Sequence, residues 1–251
     1  MTMEAQATSL PPPEPVDIAS SSLLLDFDGT LVPIAETPDA VTVDGGLVDL
    51  LARLSDAFDG RVAIVSGRSI AQLDLFLGPV ARRIALSGSH GCEHRWNGVD
   101  AHPVRPPELN IVAEQFQLFI QDRPEMLVEI KSYGVALHYR RSPQEEQAVN
   151  MMASAMAEST GLAFQPGQMV AEIRVPGSDK GVAVTRLMDR PPMRGTVPVY
   201  LGDDATDEVA LIAAGALGGV PIAVGPRPTT SARYRLASPA AVRNWLEEMV
   251  A

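Results

Sequence analysis

At 251 residues the chain is long enough to bury one full hydrophobic core and a smaller second one. Its composition, 46% apolar and 20% charged with a mean hydropathy of +0.07, is that of an ordinary globular protein. A formal net charge of −11 argues against a nucleic-acid partner, which calls for a basic surface, although a metal or local cations can still favour phosphate at one site.

The single cysteine, Cys92, excludes an internal disulfide, reads as a small packing residue and fits a reducing cytoplasm. The opening "MTMEAQATSLPPPEPVD" has acids and three consecutive prolines but no basic segment, so it is not read as a signal peptide. Residues 1–19 are expected to be a disordered or loosely tethered tail. No apolar run reaches bilayer-spanning length, and no membrane partner is expected.

From residue 20 onward strands and helices alternate. Ser22–Phe27 reads as a buried strand, and Leu47, Leu50, Leu51, Leu54 and Phe58 recur at helical spacing. "RVAIVSG" (61–67) is a second strand, "SIAQLDLFL" a helix, and "RIALSG" a third strand. Continuous apolar strands between amphipathic helices indicate a parallel sheet covered on both faces. The same style returns after residue 178: helix "DKGVAVTRLM", strand "PVYLGDD", helix "TDEVALIAAG", strand "PIAVG", and a final helix with Ser238 as N-cap and Pro239 at its first position. Residues 20–103 and 178–251 are therefore assigned to one doubly wound α/β core.

The stretch 104–177 differs. A helix with Leu109, Val112, Ala113, Phe116, Phe119 and Ile120 on one face precedes two alternating strands in "MLVEIKSYGVALHYRRS". A helix follows, with Ser142 as N-cap, Pro143 first, Glu145 completing a capping box and Gly161 ending it. "LAFQPG" and "MVAEIRV" supply two more strands. This helix–hairpin–helix–hairpin unit is an α+β insertion in the core.

Strand ends of the core carry polar residues of a definite kind. The first strand ends in Asp26 and Asp28, the second in Ser66 and Gly67, and "VYLG" in Asp203 and Asp204, with Asp207 three residues on. Lys180 opens a helix between them in sequence. Ligands of open parallel sheets bind beyond the carboxyl ends of the strands, so these groups should converge. Asp26, Asp28 and Asp203 are hard oxygen ligands suited to Mg²⁺. A carboxylate can attack phosphorus if a metal and a lysine, here Lys180, balance the charge. Thr30 and Ser66, with backbone amides near Gly29 and Gly67, are placed to hold phosphoryl oxygens, and Asp28 to serve as general acid and base. Taken singly, "DFDGT", "SGR", "DKG" and "GDDATDE" are each also ordinary turns or helix starts. Four in this order, at strand ends and helix starts, point to catalysis.

"LLLDFDGTL", "VAIVSGR", "DKG" and "LGDDATDE" resemble the four motifs of the haloacid-dehalogenase-like phosphatases. The resemblance implies a Rossmann-like core and a Mg²⁺-dependent phosphomonoesterase with Asp26 as nucleophile, Asp28 as acid/base and Asp203 as metal ligand. It also implies that Asp28 reaches the metal through its backbone carbonyl, and that Arg68 of the second motif lies at the substrate.

In the insertion Glu129 and Lys131 share one strand face opposite Val128 and Ile130. His138 and Arg140 share a face, and so do Glu172 and Arg174. Such a face is usually solvated, but as a lid over a phosphate site it suits a polyhydroxyl ligand, where carboxylates accept and cations donate. "GSHGCEHR" (88–95), "VEIKSYGVALHYRRSP" (128–143) and "EIRVPGSDKG" (172–181) narrow the resemblance to the trehalose-6-phosphate phosphatases. That likeness implies trehalose 6-phosphate as substrate, with Glu129, Lys131 and Glu172 on the disaccharide and His90 in a substrate-contacting loop that also holds Glu93. It also implies a functional link to a separate trehalose-6-phosphate synthase. The rival readings are a phosphatase for sucrose 6-phosphate or mannosyl-3-phosphoglycerate, and a non-catalytic sugar-phosphate-binding module.

Overall fold

The computed structural model describes residues 10–35, 37, 40–229 and 231–251. In chain order, β1 (Ser21–Leu25), α1 (Gly45–Ala57), β2 (Val62–Val65), α2 (Ile70–Leu77) and β3 (Ala85–Gly88) alternate. A hairpin of β4 (Glu93–Trp96) and β5 (Val99–Ala101) follows. Next come α3 (Glu108–Phe119), β6 (Leu127–Ile130), β7 (Gly134–His138), α4 (Glu146–Thr160), β8 (Ala163–Gly167) and β9 (Val170–Arg174). The chain closes with α5 (Lys180–Met188), β10 (Val197–Gly202), α6 (Glu208–Ala216), β11 (Val220–Val224), β12 (Tyr234–Leu236) and α7 (Pro239–Met249).

The first sheet has the order β12-β11-β10-β1-β2-β3-β4-β5, parallel from β12 to β3 and antiparallel thereafter. Every residue of β1 and β2 is buried, which is why residues 23–25 and 62–65 read as unbroken apolar runs rather than alternations. On one face Leu23, Leu25, Ile64 and Leu201 pack with Leu50 and Leu54 of α1, Leu73 of α2 and Leu246 of α7. On the other, Leu24, Val65 and Tyr200 pack with Val184 and Leu187 of α5 and Leu211 of α6. The core is thus a doubly wound α/β layer structure. From β1 the chain winds outward through β2 and β3, and from β10 the other way through β11 and β12, so the order reverses between β1 and β10. That is where a crevice opens for a ligand.

The second sheet, β6-β7-β9-β8, is wholly antiparallel. One face packs Val128, Val135, Leu137 and Ile173 against Leu109, Val112 and Phe116 of α3 and Val149 and Ala153 of α4.

Four expectations change. The β4–β5 hairpin and β12 were not foreseen: β4, β5 and β12 are only three or four residues long and carry charged or exposed side chains. Of the expected tail, residues 1–9 lie outside the described residues, while 10–19 are tied to the core. Arg235 N donates to Pro11 O at 2.9 Å, Arg61 Nη2 to Ile18 O at 2.9 Å, and Val16 and Ile18 pack on the first core. Ser142 makes no side-chain cap; Pro143–Glu145 form a 3₁₀ turn before α4, and Glu145 pairs with Arg123 instead. Ile130, expected on the covered face, is 62% exposed at the end of edge strand β6.

Candidate active site

Phe27 separates the first two acids by turning into the core, where it is fully buried and stacks on Phe76 with ring centroids 6.0 Å apart. Asp26 and Asp28 are left at the carboxyl edge of β1. Lys180, the first residue of α5, reaches the same point from the other helical layer. Its Nζ donates to Asp26 Oδ1 and to Asp207 Oδ1, each at 2.7 Å. Asp207 also accepts from Tyr200 OH at 2.5 Å, and its Oδ2 takes the backbone amides of Asp203 and Asp204 at 3.1 and 3.0 Å. Both Asp207 oxygens are therefore engaged. Thr30 is fully buried, and its hydroxyl reaches Asp26 and Asp203, each at 3.4 Å.

This cluster is short of positive charge. Asp26, Asp203 and Asp207 each bring a carboxylate oxygen within 4.8 Å of the others, against one lysine. Burial, and then repulsion from Asp207, push Asp26 well above the usual carboxylate range, Lys180 only partly offsetting them. Burial and the neighbouring acids lift Asp203 to about 6. Burial resists charging Lys180, but Asp207 and Asp26 outweigh it and hold the ammonium form. A divalent cation fits this charge deficit and this all-oxygen donor set.

Asp28 is held elsewhere. Its carboxylate takes a forked pair of bonds from Arg68, Nε to Oδ2 at 2.7 Å and Nη2 to Oδ1 at 2.8 Å. The guanidinium lies 4.9 Å from the Phe76 ring centroid, so a bidentate contact and a stacking contact fix it together. The side-chain acids that cluster are thus Asp26, Asp203 and Asp207, with the Asp28 carboxylate on the cavity wall beside them.

A cavity of about 570 Å³ joins this edge of the core to the polar face of the second sheet. Asp26, Asp28, Ser66, Gly67, Arg68, His90, Lys180, Glu129 and Lys131 all line it. Of the sequence-assigned residues, Thr30, Asp203 and Glu172 do not line the wall: Thr30 is fully buried and bonds Asp203, and Glu172 connects through Lys131. His138, Arg140, Asp204, Thr206, Arg141 and Gln72 also line it. Asp204 carries the first turn after β10, accepting from Thr206 N at 2.8 Å; against the cost of burial, Lys180 and Thr206 bring it down to about 2.

His90 sits in a left-handed backbone conformation, φ 52°, after β3. Its ring lies on Gly67, where a Cβ would come within 2.7 Å of it. Burial, only partly opposed by Glu172, depresses the imidazole to about 4, so it is neutral at physiological pH. Glu93, three residues on, takes a hydrogen bond from Ser89 Oγ.

The face of the second sheet is pre-paired. Glu129, Ala136 and Glu172 are in register across β6, β7 and β9. Lys131 Nζ donates to Glu172 Oε2 at 2.6 Å. Gly134 permits this, since a Cβ there would come within 2.8 Å of Glu172 Oε1. Burial resists ionising both Glu172 and Lys131, but their mutual attraction outweighs it and both are charged.

Tyr200 and the structural part of Asp207 escaped sequence reasoning. The signal available for Asp207 was its place three residues after Asp204, a capping-box spacing that the structure realises.

Comparison with known proteins agrees with this architecture. The trehalose-phosphatase family profile matches residues 24–240. Trehalose-6-phosphate phosphatase of Escherichia coli strain K12 is 36% identical over 232 residues, covering 91% of this chain and 86% of that protein. The C-terminal domain of Candida albicans trehalose-6-phosphate phosphatase superposes with a TM-score of 0.79 at 25% identity, over 92% of this chain and 91% of that one. A Bacteroides thetaiotaomicron phosphatase of the haloalkanoate (HAD) superfamily shares the fold at 16% identity, with a TM-score of 0.62 over 93% and 97% of the two chains. The matched stretch runs from within β1 to the first turn of α7 and takes in every strand-end acid, so the chain belongs to the trehalose-phosphatase family, a family of phosphatases on the HAD fold.

Proposed function

We propose that the chain hydrolyses trehalose 6-phosphate to trehalose and inorganic phosphate through an aspartyl-phosphate on Asp26. The observation that carries this reading is one cavity that joins the Asp26–Lys180 pair to a polar face bearing Glu129 and Lys131. One part of such a cavity takes a phosphoryl group and the other a sugar.

Asp26 attacks phosphorus, forming an acyl–phosphate O–P bond as the bond from phosphorus to the sugar 6-oxygen breaks. Asp28, released from the Arg68 fork and protonated, gives its proton to that oxygen, and trehalose leaves. The resulting Asp28 carboxylate takes a proton from water, whose oxygen attacks phosphorus. The O–P bond to Asp26 then breaks, giving phosphate and restoring both aspartates. Lys180 stays protonated throughout and bears on the negative charge of Asp26 and the transferred group. Ser66 and the amides about Gly67 receive phosphoryl oxygens. Asp26 and Asp203 are the side chains that would hold Mg²⁺, with the Asp28 carbonyl, and a bound Mg²⁺ would neutralise charge on the phosphoryl group. The second-sheet unit, residues 104–177, acts as the lid, its Glu129, Lys131 and Glu172 taking the disaccharide hydroxyls and His90 the near edge. We place the reaction in the cytoplasm, downstream of a separate synthase that makes the phosphorylated disaccharide.

The test is phosphate release from trehalose 6-phosphate, sucrose 6-phosphate, mannosyl-3-phosphoglycerate and glucose 6-phosphate, each with Mg²⁺ and with EDTA. Release from trehalose 6-phosphate at least tenfold faster than from the others, and lost in EDTA, supports the reading. Equal rates across the panel, or tight binding with no turnover, contradict it.

A further inference from the structure

Glu129 stands on edge strand β6 opposite Ala136, and His138 lies two residues further along β7 on the same face. This diagonal spacing brings long side chains into reach across an antiparallel pair. His138 Nε2 is 2.9 Å from Glu129 Oε2, and both side chains line the cavity. Burial resists ionising Glu129, but the His138 hydrogen bond and then Lys131 overcome it, so the group is a carboxylate. A carboxylate only accepts, which makes His138 Nε2 the protonated, donating nitrogen.

Among the described residues Glu129 has no other hydrogen-bond partner. Lys131, the residue just past the end of β6, is already tied to Glu172. Glu129 Oε1 is therefore an acceptor without a protein partner among the described residues, on the wall of the cavity. An untethered glutamate on an edge strand would lose its rotamer freedom on binding a ligand, whereas one held by His138 has already lost it.

We propose that His138 is a positioning residue for sugar recognition, its Nε2–H fixing Glu129 so that Oε1 is presented to ligand hydroxyls. Selection of a disaccharide phosphate over a phosphate ester without hydroxyl groups depends on this pair. The inference rests on the substrate reading given above, and it concerns a residue to which that reading assigned no role.

The test compares kcat/KM for trehalose 6-phosphate with kcat/KM for p-nitrophenyl phosphate in the Mg²⁺-supplied full chain. His138→Ala lowers the ratio by about 10- to 150-fold, the loss expected for a hydrogen bond to a charged group, and it does so mainly through KM for the sugar phosphate. His138→Phe, which keeps a ring but no donor, gives the same loss. His138→Gln, whose amide nitrogen reaches the Nε2 position, restores the ratio to within about threefold of wild type. In a Glu129→Gln background His138→Ala lowers the ratio by less than about twofold more, because the two side chains act as a unit. An unchanged ratio in His138→Ala and His138→Phe, a Gln variant no better than Ala, or effects of Glu129→Gln and His138→Ala that multiply would each overturn the proposal. A wild-type chain that hydrolyses p-nitrophenyl phosphate but not trehalose 6-phosphate overturns the substrate reading, and this inference with it. That result is distinct from an active wild type with silent His138 variants.

Discussion

The imidazole of His90 is held neutral by burial, on the wall of a cavity that also carries Arg68, Glu129, Lys131 and Lys180. Its proton affinity falls from the ordinary 6.5 to about 4, and the sign of the consequence follows. Between pH 6.5 and 4 the unfolded chain takes up a proton at this position that the folded chain refuses. Stability linked to His90 is therefore fully present above pH 6.5 and drains away as pH falls through that window. An NMR titration should show one imidazole, assigned by His90→Gln, still neutral at pH 5. The urea midpoint of His90→Gln should fall less than that of wild type between pH 7 and pH 4.5. An imidazole titrating near 6.5 would contradict this account of the loop. A neutral ring also suits the role proposed for it, since it can both donate to and accept from a sugar hydroxyl.

At the level of elements, the position of Lys180 depends on where α5 begins. Asp179 caps that helix, its Oδ1 accepting from Val182 N at 2.8 Å, and Lys180 is the next residue. Asp179→Ala should cost about 1 kcal/mol in urea denaturation, and Asp179→Ser much less. The alanine variant should also lower kcat several-fold, as fraying of the first turn moves the ammonium group off Asp26 and Asp207; an unchanged midpoint and kcat would mean that tertiary contacts alone place the helix start. The elements that carry the chemistry were legible for physical reasons. β1, β2 and β10 are largely buried strands, so each carries an apolar run (residues 23–25, 62–65 and 199–201) that stops at the ligand edge of the sheet, and just beyond the stop stand Asp26, Ser66 and Asp203. The β4–β5 hairpin was not read because its residues are polar and partly exposed, yet Asn97-Gly98 was a usable sign. Both residues have positive φ, 47° and 76°, as a two-residue hairpin turn requires. The Arg68–Asp28 fork and the Tyr200–Asp207 contact join residues distant in sequence or on opposite sides of a strand end, and no local pattern marks them. The polar face of the second sheet lies between: alternation placed Glu129, Lys131 and Glu172 on one side, but which acid would pair with Lys131 depends on register and on the missing Cβ of Gly134.

For the molecule as a whole, the fold brings like charges together at the switch point of its sheet and must balance them. With one lysine, Lys180, on Asp26 and Asp207 among the described residues, the buried acids remain under-compensated, and a cation that binds only the folded chain relieves them. Mg²⁺ at 100 times its Kd should add about 2.7 kcal/mol. For a chain of this size that raises Tm by roughly 5–10 °C. EDTA should reverse the shift and Asp203→Asn should weaken it; a Tm indifferent to Mg²⁺ would remove Asp26 and Asp203 as a metal site. The central claim is narrower, that Asp26 is the group to which phosphorus is transferred, and one comparison tests it directly. Phosphate release from trehalose 6-phosphate is measured for wild type and Asp26→Asn, both supplied with Mg²⁺ and both shown to be folded. The account predicts steady release by wild type and a loss of at least about 10³-fold in the variant, whose amide is no nucleophile. Release by Asp26→Asn at near the wild-type rate would contradict it.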